Sequence, residues 1–394
     1  MNHTINNKKV ASHNSTAHKV YFQNLDGLRT IAFLLVFFQH GISDQLLHGH
    51  DGFMDSLLHM LFRGGETGVS VFFVLSGFLI TYLILNELNT NNTINIKHFY
   101  IRRALRIWPL YYAVLVFVFF IYPVLRNLAG MDSSHGHTIP YYFLFLSNFD
   151  IIHIDHNFAT TAWGHITVTW SVAVEEQFYL TWPLFFAFVP KRFYPTIFIA
   201  IICLSLIFRY YHLHDKPVLL YHSLIVCGDL ALGGLCAYCA INYKQFIHFF
   251  ENLHKSYIVL VYYLGFLGLL FLPNLSENNS LILLFSRLIN VLFFAFVILE
   301  QNYAQHSFYK FSNIKTLTFW GKYTYGLYLI HNIVLLFLAM GLGPKLLNIN
   351  YETSFLSTFI VCFIGLIISM LVSYISYEYF EKRFLTLKEK FSTL

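Results

Sequence analysis

The chain has 394 residues, of which 57% are hydrophobic, 19% aromatic and 11% charged, and its formal net charge is +5. Soluble domains carry about 25% charged residues, so this composition excludes an ordinary soluble protein, and we expect no nucleic-acid partner. Apolar stretches of about 20 residues recur along the chain, which predicts an all-α polytopic membrane protein instead of the short alternating segments of a transmembrane β-barrel.

The N-terminal segment differs from the rest of the chain. Residues 1–21 are polar, contain lysines and lack the apolar core of a cleavable signal peptide. We therefore predict a disordered cytoplasmic tail at 1–21, a single transmembrane domain at 22–386 and a short cytoplasmic tail at 387–394.

Hydrophobic patterning predicts about ten transmembrane helices, the first of which is retained in the mature protein. The predicted spans are 26–46, 66–88, 104–124, 174–190, 193–211, 219–242, 256–273, 279–301, 320–341 and 354–380.

The distribution of lysine and arginine predicts the orientation of these spans. With the N-terminus inside, 19 of the 25 Lys and Arg residues lie on the cytoplasmic side, as the positive-inside rule requires. The stretch 127–173 contains neither residue type and is therefore expected outside. Within it, 139–150 is apolar but too short to span, which favours an interfacial or re-entrant helix. The predicted topology is N-in and C-in.

The first span, in "NLDGLRTIAFLLVFFQHGIS" (24–43), carries two ionisable residues. Ten residues lie between Arg29 and His40, so eleven helical steps give a rise of about 16 Å over roughly three turns, and the side chains lie near one face at different depths. Ionisable groups within spans are costly and are therefore functional candidates. Histidine is suited to take a proton from a hydroxyl, although a snorkelling arginine and a buried histidine would explain the same pattern.

The next two motifs carry small and cationic residues. In "GVSVFFVLSGFLITYL" (68–83), Ser76 and Gly77 favour close helix packing over a nucleophilic serine. In "FYIRRALRIWPLYY" (99–112), Arg103 and Arg106 share a helix face and, with Arg102, form a cationic cluster. Arginine binds phosphate in a bidentate manner, but positive-inside anchoring also accounts for such clusters.

The stretch "VTWSVAVEEQFYLTWPL" (168–184) places two carboxylates near the start of a span. We predict Ser171 as the helix N-cap, and the helix dipole then favours Glu175 and Glu176. Glu176 is expected to share a face with Tyr179, and one of the two carboxylates could orient a histidine of the first span.

The remaining polar residues in apolar segments are interpreted structurally. His331, in "WGKYTYGLYLIHNIVL" (320–335), is expected to be a packing or helix-contact residue, and "SYEYFEKRFL" (376–385) places Glu378 and Glu381 at the cytoplasmic end of the last span. All five cysteines fall in apolar segments and are predicted to be buried thiols without disulfides. The "HGH" triplets at 48–50 and 135–137 are interpreted as polar loop residues, so no metal site is predicted.

Taken in order, these motifs resemble those of the bacterial acyltransferase family 3, integral-membrane enzymes that O-acylate surface polysaccharides. The resemblance covers about residues 22–386. It rests on the stretches "NLDGLRTIAFLLVFFQH", "GVSVFFVLSGFLITYL", "FYIRRALRIWPLYY", "TWSVAVEEQFYLTWPL", "WGKYTYGLYLIHNIV" and "YEYFEKRF".

The resemblance implies roles for particular residues. The family pattern of a basic residue, ten residues and a histidine falls on Arg29 and His40, and its Arg-x-x-Arg pattern falls on Arg103 and Arg106. It implies acyl-CoA, usually acetyl-CoA, as a cytoplasmic co-substrate and a sugar hydroxyl on the far side as acceptor, in the bacterial inner membrane.

From these roles we expect the arginines to hold the CoA phosphates and His40 to deprotonate the acceptor, directly or by way of a covalent acyl intermediate. Glu175 or Glu176 is expected to fix the histidine tautomer.

Two features depart from the family pattern. Many members carry a hydrolase-like SGNH domain after the membrane part, whereas this sequence stops at Leu394, so we expect the stand-alone form. In "CGDLALGGLCAY", Asp229 follows Cys227 and Gly228, where the family often has an arginine before the Asp.

Two other functions remain open from the residues. Buried charges and broken helices also serve transport of a small acyl compound or lipid-linked sugar, although no internal repeat is visible. The motifs also do not distinguish a sugar hydroxyl from an amine or a small metabolite as acceptor.

Overall fold

The structure is a computed structural model that describes residues 22–42, 64–128, 130, 136–156, 166–277, 279–338 and 355–391. The predicted tail at 1–21, the triplet at 48–50 and His165 lie outside the described residues. The described part is helical throughout and shows no β-strand.

The helices follow one another along the chain with short connections. They are α1 (Gln23–Gly41), α2 (Gly65–Asn91), α3 (Ile96–Val116), α4 (Tyr122–Leu128), α5 (Ile139–Phe143), α6 (Ser147–His156), α7 (Thr169–Phe188), α8 (Tyr194–Tyr211), α9 (Lys216–Tyr221), α10 (Ser223–Asn242), α11 (Lys244–Glu251), α12 (Lys255–Glu277), α13 (Ser280–Tyr303), α14 (Lys315–Gly321), α15 (Thr324–Phe337), α16 (Phe355–Ser376) and α17 (Lys382–Glu389).

Seven helical segments of the described chain are long and apolar enough to cross a membrane. They are Gly65–Asn91, Ile96–Leu128, Lys191–Tyr211, Lys216–Asn242, Lys255–Glu277, Ser280–Tyr303 and Thr358–Glu389. Each of the three other predicted spans also contains a helix, namely α1, α7 and α15, and α15 has only 14 residues. A multi-pass helical membrane protein is therefore confirmed, whereas the ten-span count and the N-in, C-in orientation remain predictions.

Helix α2 lies at the centre of the bundle, with most of its apolar window buried, while α12 is peripheral and mostly exposed. Two glycines let α2 and α10 approach closely. A Cβ atom at Gly77 would lie 1.9 Å from the Leu230 carbonyl oxygen, and one at Gly233 would lie 2.1 Å from the Val74 carbonyl oxygen. The predicted close packing at Gly77 is thus confirmed, and its reason is direct backbone contact between helices.

A buried ion pair joins α10 to α13. Arg287 donates from Nε to Asp229 Oδ1 at 3.0 Å and from Nη2 to Oδ2 at 2.7 Å, and the Asp229 residue is 3% exposed. Asp229 has no arginine just before it in the sequence, and its ion-pair partner is instead Arg287 on another helix.

The long loop contains two short helices, α5 and α6, where one interfacial helix was predicted at 139–150. Asp150 ties them together, because its carboxylate accepts hydrogen bonds from the Thr138 backbone N–H at 3.2 Å and lies 3.2 Å from His137 Nδ1. Burial alone would raise the pKa of Asp150, but the hydrogen bonds from His137 and Thr138 outweigh it and keep that pKa below its ordinary value.

The structure differs from the sequence predictions at the start of α7 and at one of the five cysteines. Helix α7 begins at Thr169 with Val168 as N-cap, so the prediction of Ser171 as N-cap is wrong. All five cysteines are free, as predicted, but Cys203 is exposed on α8, so the prediction that every thiol is buried is also wrong. Its position on the outer, apolar face of a peripheral helix explains the exposure.

Candidate functional site

Two cavities lie next to each other within the bundle, and most of the predicted site residues line one or the other. The larger, which we call the arginine cavity, has a volume of about 420 Å³ and is lined by Arg29, Arg103 and Arg106. The smaller, which we call the histidine cavity, has a volume of about 130 Å³ and is lined by His40. Val69 and Tyr328 line both cavities, so the two spaces meet at these side chains.

The wall of the arginine cavity is rich in charge. Its cationic side chains are Arg29, Arg103, Arg106, Lys322 and Lys388, and its carboxylates are Asp26, Glu175 and Glu381. Cations therefore outnumber carboxylates in this wall, which suits a polyanionic ligand.

Arg103 and Arg106 reach the arginine cavity from α3. The Arg103 guanidinium lies 5.5 Å from the Tyr179 ring centroid and 5.7 Å from that of Phe99, and its buried Nε has no hydrogen-bond partner among the described residues. Arg106 is exposed to the cavity. The i, i+3 spacing thus places both arginines in one wall, as the sequence predicted.

The neighbouring Arg102 does not line the arginine cavity. It donates to Glu87 Oε2 at 3.1 Å and to the Phe391 carbonyl oxygen at 2.8 Å. The bond to Phe391 fixes the chain just after the end of α17. Helix α17 runs from Lys382 to Glu389 and therefore continues past the predicted domain boundary at 386. Helix geometry explains the difference, since adjacent residues point about 100° apart.

On α1, Arg29 forms an ion pair with Asp26, one turn earlier, and faces the arginine cavity. Thr30 donates to the Leu317 carbonyl oxygen at 2.7 Å, which fixes α1 against α14. His40, at the other end of α1, is exposed to the histidine cavity. The single helix α1 therefore lines both cavities, with Arg29 in one and His40 in the other, about 16 Å apart along its axis.

The two carboxylates of α7 point in different directions. Glu175 lines the arginine cavity and accepts a hydrogen bond from Ser76 Oγ at 2.6 Å, and the Tyr179 hydroxyl lies 3.3 Å from its Oε2. Glu176 accepts a hydrogen bond from Trp108 Nε1 at 2.8 Å. Tyr179 therefore pairs with Glu175, four residues earlier, and both line the arginine cavity, whereas Glu176 is not among the residues that line it.

Neither carboxylate forms a hydrogen bond to His40 in the described part of the chain, so the expectation that one of them holds its tautomer is not supported. His331 occupies that position instead. Its Nε2 lies 3.1 Å from His40 Nδ1, and its Nδ1 lies 3.0 Å from the Leu327 carbonyl oxygen. His331 was expected to be a packing or helix-contact residue, and the structure shows a contact with His40 on another helix.

Aromatic and polar residues complete the histidine cavity. Trp170, Tyr221 and Tyr328 supply aromatic surface, while Gln39, Glu66 and Arg287 supply polar groups. The Tyr328 hydroxyl is fixed by Ser171, with the two oxygens 2.7 Å apart. Flat aromatic rings beside hydrogen-bonding groups are suited to bind a polar ligand with apolar faces, such as a sugar.

No group of three or more His, Cys, Asp or Glu side chains placed to hold a metal ion occurs among the residues that the structure describes. One cavity contains the His40 imidazole, a group suited to general acid–base chemistry, and the other has an excess of cationic side chains, which are suited to bind anions.

Comparison with known proteins places this arrangement in a family. A family model described as an acyltransferase domain, acyltransferase family 3, matches residues 22–377. The peptidoglycan O-acetyltransferase OatA of Listeria monocytogenes is 34% identical over 173 residues, which is 42% of this chain and 24% of the relative. The O-acetyltransferase OatA of Staphylococcus aureus is 28% identical over 382 residues, 92% of this chain and 57% of the relative.

The chain thus spans between about a quarter and somewhat more than half of the length of these two relatives. No solved structure matches it. The family match extends over nearly the whole described part. It includes every residue that lines the histidine cavity and all that line the arginine cavity except Glu381, Leu385 and Lys388. The chain therefore belongs to the acyltransferase-3 family.

Proposed function

We propose that this protein transfers an acyl group, specifically acetyl, from cytoplasmic acetyl-CoA to a hydroxyl of a cell-envelope glycan, in the bacterial inner membrane. The observation that carries this proposal is the pair of adjoining cavities, one cationic and one containing His40, with α1 forming part of both walls. Membership of an acyltransferase family and relatives named as O-acetyltransferases support it.

The arginine cavity is the proposed donor site. CoA carries several phosphate charges, and Arg103 and Arg106 present guanidinium groups that can bind phosphate oxygens in a bidentate manner. Arg29, Lys322 and Lys388 add positive charge to the same wall. The long, flexible pantetheine arm can then carry the thioester toward the boundary at Tyr328. Donor contacts by Arg102 remain a prediction that its bond to Glu87 does not favour.

The histidine cavity is the proposed acceptor site. His40 Nε2 takes the proton of the acceptor hydroxyl while that oxygen attacks the thioester carbonyl carbon. The carbon–sulfur bond breaks, the ester forms, and the departing CoA thiolate receives the proton. This step uses one base and no metal, and the aromatic wall of Trp170 and Tyr221 would orient the sugar ring.

The test uses purified protein in sealed lipid vesicles with radiolabelled acetyl-CoA and a peptidoglycan oligosaccharide. We expect label on the oligosaccharide that mild alkali releases, because an O-acetyl ester is alkali-labile and an N-acetyl amide is stable. His40→Ala should leave only a small residual signal, while His248→Ala, at an exposed histidine on α11, should leave the signal unchanged. Alkali-stable label would identify an amine acceptor, and absence of label on the oligosaccharide would reject glycan acylation.

The sides of the two cavities need a separate test. Single cysteines at Thr93 and His214, both exposed, fall on opposite sides in the predicted topology. In a background in which the native cysteines are replaced, an impermeant thiol reagent applied from outside should label position 214 and spare position 93. The reverse result would overturn the proposed orientation.

A further inference from the structure

His331 is fully buried on α15, directly beside His40. Its ring packs against Phe33 at 5.6 Å and Phe37 at 6.0 Å between centroids. Both of its nitrogens have partners: Nδ1 lies 3.0 Å from the Leu327 carbonyl oxygen, and Nε2 lies 3.1 Å from His40 Nδ1. The ring is thus held by packing and by two polar contacts of defined direction.

These contacts determine where the protons lie. A carbonyl oxygen only accepts, so His331 Nδ1 must carry a proton and donate it to Leu327. In a neutral ring the other nitrogen, Nε2, is then an acceptor, and the proton between the two rings belongs to His40 Nδ1. A neutral His40 that is protonated on Nδ1 has its lone pair on Nε2. The His40 ring, which also forms a hydrogen bond with the backbone of Val36, is exposed to the histidine cavity.

We propose that His331 is a positioning residue that fixes His40 in the tautomer with a bare Nε2, so that this nitrogen can act as the base. The inference rests on the proposed function, since it assumes that His40 deprotonates the acceptor. His331 does not touch the substrate and acts through His40. The Leu327 carbonyl, His331 and His40 form a chain of hydrogen bonds in which each member sets the proton position of the next.

A neutral acceptor suits this location. In soluble enzymes a carboxylate often orients the histidine base, but an additional buried charge within a membrane is costly. His331 accepts the His40 Nδ1–H without carrying a charge itself. When His40 takes the acceptor proton, the bond to His331 becomes charge-assisted and strengthens, which stabilises the imidazolium only when it forms.

Two substitutions separate this role from simple packing. His331→Phe keeps a planar ring among Phe33 and Phe37 but removes the acceptor. His331→Gln has a poorer shape for that pocket but offers an amide oxygen to His40 Nδ1. If the acceptor matters, we expect His331→Phe to lower kcat by about 10²-fold, with KM for acetyl-CoA unchanged, and His331→Gln to retain a larger share of kcat. The opposite order, or equal activity of the two variants, would overturn the proposal.

The rate of the double variant that combines His331→Phe with His40→Ala is the second measurement. Since His331 acts through His40, adding His331→Phe to His40→Ala should cause no further loss of the residual rate. An additional loss of tenfold or more would show an independent role and contradict the inference. If His40→Ala retains wild-type turnover, the proposed function fails. If His40→Ala is inactive while His331→Phe is fully active, only the inference fails.

Discussion

The Asp229–Arg287 pair allows a quantitative test, because it joins α10 to α13 while Arg287 also lines the histidine cavity. Asp229→Ala removes the carboxylate and leaves the arginine charge buried without its partner. Breaking a buried pair in this way costs about 3–5 kcal/mol. At about 2 °C per kcal/mol, the lower end for larger domains, the midpoint of thermal unfolding should fall by roughly 6–10 °C.

A double substitution separates stability from function. Asp229→Leu with Arg287→Met replaces both charges by apolar groups of similar volume, and such replacements are often neutral for stability. We expect this variant to recover the melting temperature but not the transferase activity, because Arg287 no longer contributes a cation to the histidine cavity. The assay is thermal unfolding in detergent, followed by size-exclusion chromatography with fluorescence detection. An unchanged midpoint in Asp229→Ala would refute the buried pair, and full activity in the double variant would refute a role for Arg287 in the cavity.

Four further predictions follow from other parts of the structure. Gly77→Val should abolish folding, measured as monodisperse yield, because no Cβ fits there, whereas Gly268→Val should be tolerated, since the nearest atom lies 3.6 Å away. Arg103→Met should raise KM for acetyl-CoA about tenfold or more, and Arg103→Lys should recover only part of that loss. Ser76→Ala should lower kcat less than tenfold, because the neighbouring tyrosine still contacts the same carboxylate. The pKa of Asp150 is lowered in the folded protein, so its carboxylate should stabilise the long loop fully above the ordinary pKa of about 4. This stabilisation should disappear as the pH falls through the folded-state pKa of Asp150. Faster proteolysis of the long loop at acid pH would detect the loss.

Each of these predictions has a clear contradicting result. Good yield of the first glycine variant would mean that α2 and α10 are further apart than described. An unchanged KM for both arginine variants would leave only charge anchoring as the role of that residue. Complete inactivity of the serine variant would assign its hydroxyl a direct part in the reaction. Protection of the long loop that does not change with acidification would remove the role of the aspartate.

The sequence predicts this protein best where one helix alone determines the outcome. The spacing of Arg103 and Arg106 places both in one cavity wall, and the length of α1 separates Arg29 from His40 in the same way. Hydropathy likewise locates the long apolar helices, since their length is a property of the local sequence. These inferences need only the geometry of a single helix.

Contacts between helices far apart in sequence could not be predicted from a single sequence. His331 is 291 residues from His40, and Arg287 is 58 residues from Asp229, so no periodicity links them. The different surroundings of Glu175 and Glu176 also could not be predicted. Two adjacent carboxylates on a helix are chemically equivalent in sequence, and only the position of Ser76 on α2 shows that Glu175 faces the arginine cavity.

The boundary formed by Val69 and Tyr328 has a consequence for the energy balance of the cell. Two cavities that meet inside a membrane protein must not form an open path for ions, since a leak would dissipate the transmembrane potential. Tyr328 is buried, and its hydroxyl lies 2.7 Å from Ser171 Oγ, so this side chain has a fixed position where the two cavities meet. Tyr328→Gly should join the cavities into one aqueous passage. Vesicles containing that variant should lose an imposed proton gradient within the time that wild-type vesicles retain it, and equal retention would show that other residues form the seal.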